Sequence, residues 1–148
     1  MSGNEVLQAE RDVVRLIRNA WAAIDRKDWA TYADAFAPDG EFEILGQRRR
    51  GRDEIVAGPA RDLAKFDRLQ HLIMNEIVEV DGDRATGQWY AIAVHVPDAT
   101  EPETHADVGL RYTFDARRDE QSWRFSEVVL EPIWTGGMSF AIEEPSAS

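Results

Sequence analysis

The sequence predicts a single α+β domain in which helices pack on one face of a sheet. Residues 5 to 26 have apolar side chains at helical spacing, and most of the chain after residue 70 alternates between apolar and polar side chains. Helices first and then a run of antiparallel strands is an order typical of α+β proteins. The 148 residues fit one hydrophobic core. We therefore expect one domain over 1–148, with a core at 5–134 and a tail at 135–148.

Three helices are predicted in the first half of the chain. The first is amphipathic, since at about 100° per residue one face collects Val6, Val13, Ile17, Ala20 and Ile24. Asp28 is a suitable N-cap for a short second helix, "WATYADAF", which "APDG" should end with a turn. The third helix, "GRDEIVAGPARDLAKF", should be capped near Asp53 and disturbed at Gly58 and Pro59.

Five strands are predicted around these helices. "EFEILG" alternates and precedes the third helix. "HLIMNEIVEV" and "RATGQWYAIAVHV" flank "DGD", which is a hairpin signal. "ADVGLRYTFDA" and "WRFSEVVLEPIW" complete the run, joined by the charged loop "RRDEQS".

Composition excludes several classes of function. The net charge of −11 disfavours nucleic acid as a partner, and no apolar run is long enough for a membrane span. "MSGNEVLQAERD" lacks the pattern of a signal peptide, so a cytoplasmic location is expected. Cysteine is absent, which removes disulfides and thiolate chemistry. The one basic cluster, Arg48 to Arg52, is interpreted as a solvated turn between strand and helix; the alternative is an anchor for a substrate carboxylate or phosphate.

Two polar residues stand on apolar faces. Asp25 lies at the edge of the apolar arc of the first helix, close to its C-terminus, where a negative charge opposes the helix dipole and calls for a partner. Strand alternation places His71 and Asn75 on one face with Ile73 and Ile77. Buried polar groups need hydrogen-bond partners, so these are either satisfied core residues or part of a site.

The next strands predict a ligand-facing surface. Small residues flank one Trp and one His on the odd face of the second hairpin strand, which leaves room for a ligand; this face comprises Ala85, Gly87, Trp89, Ala91, Ala93 and His95. On its other face Ile92, Val94 and Val96 are candidates for a subunit contact. Period two places His105 on the solvated face of the following strand.

Compact catalytic motifs are missing. There is no G-x-S-x-G elbow, P-loop or dinucleotide fingerprint. The histidines are spaced unlike a compact metal-ligand set, so we expect no metal, with a strand-borne His and carboxylate site as the lesser alternative. Acid–base chemistry without a cofactor, or plain ligand binding, remains.

Three stretches together carry a family resemblance. They are "AAIDRKDWATYADAFAPDGEFEILG…RGRDEI", "HLIMNEIVEVDGDRA" and "RYTFDARRDEQSWRFSEV…W". In this order they resemble the SnoaL-like group of the nuclear-transport-factor-2-like fold. The resemblance implies a cone-shaped, curved antiparallel sheet with three N-terminal helices packed on its concave face, enclosing a pocket. Because polyketide cyclases and isomerases share this fold, it does not by itself imply a reaction.

Within the group, the chain most resembles the dehydratase and dehydrochlorinase branch. That branch uses an Asp–His dyad, whose positions match Asp25 and His71, and His95 matches a second pocket histidine of the scytalone dehydratases. The chain departs from this pattern at three places. Ala20 and Thr113 stand where the hexachlorocyclohexane dehydrochlorinase has a lysine and an arginine, and Ile24 stands where scytalone dehydratase has a tyrosine. The substrates of these two enzymes are therefore not expected here.

The resemblance implies a cofactor-independent lyase or isomerase acting on a hydrophobic, cyclic small molecule. His71 would abstract a proton from carbon, and Asp25 would orient its imidazole. The resemblance also implies a homodimer or homotrimer. Alternatives are a non-catalytic binding or assembly module and a polyketide cyclase. The expected pocket residues are Trp21, Tyr32, Phe42, Asn75, Trp89, His95, Tyr112 and Phe114, and Met138, Phe140 and Ile142 could cover the pocket mouth.

Overall fold

The computed structural model describes residues 1–120 and 122–138, and over these it contains three helices and six strands. In chain order they are α1 (Gly3–Asp25), α2 (Trp29–Asp34), β1 (Phe36–Ile44), β2 (Gln47–Arg50), α3 (Gly51–Asp62), β3 (Arg68–Asp81), β4 (Arg84–Val96), β5 (Ala106–Asp119) and β6 (Ser122–Gly137). One sheet holds all the strands, in the order β2-β1-β6-β5-β4-β3. The predicted α+β fold is confirmed. The sheet is mixed, because β1 runs parallel to β6 while the other neighbouring pairs are antiparallel.

Helix α1 is defined at both ends by local hydrogen bonds. Ser2 and Glu5 form a reciprocal capping box at its start. At its end the N–H of Lys27 bonds the carbonyl of Ile24, and the N–H of Asp28 bonds that of Ala23, both at 2.9 Å. This is a Schellman motif, with Lys27 in the left-handed conformation at φ 55°. The motif ends α1 at Asp25, with Arg26 as the C-cap.

Two predictions around the first strand are wrong. The "APDG" stretch is not a turn, because residues 37–40 belong to β1, whose pairing with β6 shifts register between Phe36 and Glu41. Gly40 permits this irregularity, since a Cβ there would lie 3.1 Å from the carbonyl oxygen of Phe125. The arginine run is a strand rather than a solvated turn. Arg48 is held there by Glu41, Glu43 and Glu127, which supply the charge partners that a run of like charges needs.

The third helix is shorter than predicted and begins earlier. It ends at Asp62, and its N-cap is Arg50, whose side chain makes no capping bond. Asp53 is not the cap; it lies in the first turn, and Glu54 instead accepts the backbone N–H of Arg50 at 2.8 Å. Pro59 lies inside the helix.

A bulge in β3 reverses its faces. The register with β4 shifts between Met74 and Ile77, and Asn75 has φ 55°. His71 and Ile73 face the helices as predicted, but Asn75 and Ile77 do not share that face and are exposed. Beyond the bulge, Val78 and Val80 pack against the core. One additional residue in a strand rotates everything after it by one position, which simple alternation cannot foresee.

The predicted faces of β4 and β5 are those observed. The buried residues are Ala85, Trp89, Ala91, Ala93 and His95 on β4, and Ala106, Leu110, Tyr112, Phe114 and Ala116 on β5. Together with α1 they enclose the core. None of the described helices combines the length and apolar character that crossing a membrane would require.

Candidate active site

An apolar cavity of about 600 Å³ lies between the helices and the sheet. Most of its walls are aliphatic or aromatic, and the polar side chains among them are few. The apolar lining includes Trp21, Ile24, Tyr32, Phe42, Ile44, Leu63, Val108, Leu110, Tyr112, Leu130 and Met138. The polar lining includes Arg49, Asp62, His71, His95, Asp107 and Thr135. A concave, mostly apolar space with a few polar groups is the usual form of a small-molecule site.

Asp25 and His71 are in direct contact at this cavity. The Nδ1 atom of His71 lies 2.7 Å from Oδ1 of Asp25, and the backbone N–H of His71 donates to both carboxylate oxygens at 3.1 Å. An ionised carboxylate only accepts hydrogen bonds, so Nδ1 carries a proton, and in the neutral imidazole Nε2 carries the lone pair. His71 lines the cavity and its side chain is 7% exposed. The ring therefore has a base nitrogen and a fixed orientation.

Several contacts fix the relative position of α1 and β3. The ammonium group of Lys27 donates to the carbonyl of Phe66 at 2.6 Å, which ties the end of α1 to the segment before β3. Arg18 Nε donates to Glu76 at 2.7 Å, next to the bulge of β3. The Arg18 guanidinium lowers the pKa of Glu76. The dyad is thus held by contacts on both sides of it.

His95 is the second histidine in the cavity. Its ring centroid lies 6.4 Å from that of His71 and 5.0 Å from that of Phe66. Its Nδ1 lies 3.0 Å from the carbonyl oxygen of Ala106, which can only accept, so Nδ1 is the protonated nitrogen. Burial lowers the pKa of His95, with the neighbouring His71 adding to the effect. A neutral His95 with this tautomer presents an acceptor at Nε2 and not a donor.

Two buried tyrosines supply hydroxyl groups. Trp21 Nε1 donates to the hydroxyl of Tyr112 at 3.1 Å. Burial strongly raises the pKa of both Tyr32 and Tyr112, and the charge of Arg49 partly opposes this for Tyr32. Both phenols therefore stay protonated and can donate hydrogen bonds to a ligand oxygen.

The structure separates the predicted pocket residues into lining and supporting groups. The cavity is lined by Trp21, Tyr32, Phe42, His71, His95 and Tyr112. Trp89 and Phe114 lie in the core behind it, 0% and 5% exposed, with Trp89 stacked on Tyr112 at 4.7 Å. Asn75 is exposed at the bulge, so its predicted place in the pocket is wrong. Met138 lines the cavity, while Phe140 and Ile142 lie outside the described residues.

Sequence reasoning missed two charged residues of the lining and named a third, Arg49, only within the basic cluster Arg48 to Arg52. Arg49 faces the cavity, and Asp62 and Asp107 also line it. The alternation of side chains along a strand could have indicated the direction of Arg49. In the β1–β2 hairpin Arg49 pairs with the inward-facing Phe42, which places it on the same side of the sheet. Asp62 bonds Arg61 at 2.9 Å, and His105, whose side chain is 36% exposed, bonds Asp107 at 2.6 Å.

Potential metal ligands are dispersed. Over residues 1–120 and 122–138, no three His, Asp or Glu side chains come together as the ligands of a metal ion would.

The geometry defines a class of protein. Three helices packed on a curved, unclosed sheet around an apolar cavity form the cone of nuclear-transport-factor-2-like proteins. The family model of the SnoaL-like domain matches residues 5–129, and the chain belongs to that family. Proteins of curated function give no significant match.

Solved structures share the fold at low identity. A candidate scytalone dehydratase from Novosphingobium aromaticivorans superposes with a TM-score of 0.81 at 17% identity, covering 96% of this chain and 95% of the other. A hexachlorocyclohexane dehydrochlorinase from Novosphingobium barchaimii has a TM-score of 0.77 at 16% identity, covering 97% and 99%. A Mycobacterium tuberculosis protein of unknown function has a TM-score of 0.78 at 23% identity, covering 88% and 75%. The predicted family branch is therefore confirmed at the level of fold.

Proposed function

We propose that the protein is a cofactor-independent lyase or isomerase, of the dehydratase type, acting on a hydrophobic cyclic small molecule. One observation carries the proposal. His71 lines an apolar cavity while its Nδ1 is held 2.7 Å from Asp25, which directs Nε2 away from the carboxylate. The fold likeness to proteins named as a dehydratase and a dehydrochlorinase supports a lyase rather than a hydrolase or transferase.

The proposed step begins with transfer of a carbon-bound proton to Nε2 of His71. The electron pair of the C–H bond moves onto a neighbouring carbonyl oxygen as an enolate. Asp25 then faces an imidazolium and stabilises its charge. In an isomerisation the proton then returns from His71 to another carbon, and in an elimination it passes from His71 to the hydroxyl group, which leaves as water as the double bond forms. A positioned general base contributes about 10² to 10⁴ in rate.

The developing negative charge on the substrate needs hydrogen-bond donors. Tyr32 and Tyr112 can serve, because burial raises the pKa of each and keeps its hydroxyl protonated. His95 has a different role, since its Nδ1 proton is used at the carbonyl of Ala106. It accepts a hydrogen bond from a substrate hydroxyl and so orients the substrate.

Two substitutions test the dyad once a substrate has been found by screening cyclic hydroxy-ketones. We expect His71→Gln and Asp25→Asn to lower kcat by about 10² to 10⁴ with KM changed far less. His105→Gln is the matched control, because His105 does not line the cavity. Loss of deuterium exchange at the substrate carbon in His71→Gln should accompany the loss of turnover. Turnover that survives both dyad substitutions in folded protein rejects the mechanism.

A non-catalytic binder is the second candidate. The observation in its favour is that Asp25 also accepts the backbone N–H of His71, a bond with a purely structural use. On that alternative, His71→Gln alters ligand affinity and no turnover is found for any ligand that binds the wild type.

Assembly and location are part of the proposal. We infer a homodimer or homotrimer that uses the outer face of β4, where Ile92, Val94 and Val96 are half-buried in the single chain. We also infer a cytoplasmic location. Light scattering during size-exclusion chromatography measures the oligomer. A monomer at micromolar concentration contradicts it.

A further inference from the structure

We propose that Arg49 binds a carboxylate of the pocket ligand, which makes the substrate an apolar cyclic acid. The inference rests on the proposed function only in placing this ligand in the same cavity as His71. It assigns a binding residue and a substrate class that the dyad alone does not specify.

Arg49 is directed inward by the strand on which it lies. Strand β2 alternates, so Arg48 turns outward to Glu41 and Glu127 while Arg49 lies opposite Phe42, which is buried. The central guanidinium carbon of Arg49 lies 6.0 Å from the centroid of the Phe42 ring. Contact with an aromatic face holds the cation beside the cavity wall.

Helix α3 has a notch that accommodates the guanidinium. A Cβ built on Gly58 would lie 2.3 Å from Nη1 of Arg49 and 2.4 Å from its Cζ. Glycine inside a helix is destabilising, and here it precedes Pro59, which is also unfavourable in a helix interior. Any larger residue at position 58 would displace the cation from its present place.

The charge of Arg49 has no partner within the described chain. Its neighbours Arg48, Arg50 and Arg52 each lie within 4 Å of a carboxylate. Across residues 1–120 and 122–138, Arg49 forms neither an ion pair nor a hydrogen bond. In a chain with 28 acidic and 17 basic residues, a half-buried arginine that meets no carboxylate among the described residues can bind one that belongs to a ligand.

The surroundings favour a singly charged planar anion. A guanidinium presents two parallel N–H groups that match a carboxylate. The cavity also contains the acids Asp62 and Asp107, bonded to Arg61 and His105. Their negative charge opposes a phosphate dianion more than a carboxylate. Because the remaining walls of the cavity are mostly apolar, the rest of the ligand should be apolar as well.

Binding of a matched pair of probes tests the inference. We would titrate the full-length protein by calorimetry with 2-naphthoate and with its neutral isostere 2-naphthamide at pH 8, where an unperturbed histidine is neutral. The wild type should bind the carboxylate about 10- to 100-fold more tightly, the range expected for hydrogen bonds to a charged group. Arg49→Met should abolish this preference.

Matched variants separate the anchor from general charge and from the dyad. Arg50→Met removes the same charge from an exposed neighbour and should keep the preference. Gly58→Ala, which leaves Arg49 in the sequence but fills its notch, should reduce it, and this variant serves if Arg49→Met does not fold. His71→Gln should keep the preference while losing any turnover, so failure of the anchor and failure of the dyad are distinguishable.

Three results would overturn the inference. They are equal affinity of the wild type for both probes, no binding of either probe, and a carboxylate preference that persists in folded Arg49→Met.

Discussion

Replacing Asp25 by Asn exchanges one carboxylate oxygen for an NH2 group. The change removes the negative charge of the dyad and turns one of its two hydrogen-bond acceptors into a donor. The carboxylate of Asp25 accepts both the backbone N–H and the Nδ1–H of His71. The asparagine amide has one acceptor oxygen and one donor group in the same volume. If the amide donor faces Nδ1, that nitrogen must give up its proton and Nε2 must take one. His71 then presents a proton, instead of a lone pair, to the cavity.

The stability cost follows from the same contacts. Hydrogen bonds to a charged group contribute about 1.5–3 kcal/mol and neutral ones about 0.5–1.5 kcal/mol, so two bonds lose about 2–3 kcal/mol between them. The Asp25 side chain is 25% exposed, and solvent screening reduces this loss. We expect a decrease of about 1–2 kcal/mol in the free energy of unfolding. For a domain of this size that corresponds to a fall in Tm of about 2–8 °C.

Two measurements check this prediction. Thermal unfolding followed by circular dichroism gives the change in Tm, and the ¹⁵N chemical shifts of the His71 ring give its tautomer. Asp28→Asn is the matched control, since it removes the same charge three residues away at an N-cap where Asn serves as well as Asp. Its Tm should stay within about 1–2 °C of wild type, as its expected change is only a few tenths of a kcal/mol. Equal effects of the two substitutions, with the His71 tautomer unchanged, would refute the reasoning.

Two further predictions concern Lys27, after the end of α1, and His95, in the cavity. Lys27→Gly should be more stable than Lys27→Ala by about 1 kcal/mol in urea unfolding, because position 27 has φ 55°, a conformation that glycine adopts more easily than alanine. Both variants lack the ammonium bond to Phe66, so that bond does not contribute to the difference. A more stable alanine variant would contradict this. Burial lowers the pKa of His95 below its ordinary 6.5, so the unfolded chain takes up a proton first as the pH falls below that value. The stability of wild type relative to His95→Gln should therefore decrease between about pH 7 and pH 5, and parallel pH profiles in urea titrations would exclude this role of His95.

Much of the fold could be predicted because its signals are local. The apolar face of α1 is periodic, Asp28 accepts the N–H of Thr31 as an N-cap should, and the inward faces of β4 and β5 follow simple alternation. Each of these depends on residues within a few positions of one another. The lining role of Trp21, Tyr32, Phe42, His95 and Tyr112 follows from such faces.

The errors arise where distant residues decide the outcome. Asn75 is exposed because a bulge in β3 changes the register with β4, and this depends on the pairing of two strands. The arginine run forms β2 because acidic residues on β1 and β6 offset its charge. Trp89 is not part of the cavity lining but stacks on Tyr112, which is.

The sequence by itself determined the α+β class, the inward placement of Asp25 and His71 and the resemblance to the SnoaL-like family, since these follow from periodicity and ordered motifs. Tertiary structure alone decided the 2.7 Å contact between Nδ1 of His71 and Asp25, the tautomer that follows from it, and the position of Arg49 over the notch at Gly58. Periodicity states which way a side chain points. Distances between elements depend on how a helix end, a bulged strand and a hairpin pack together, and that packing is a property of the whole domain.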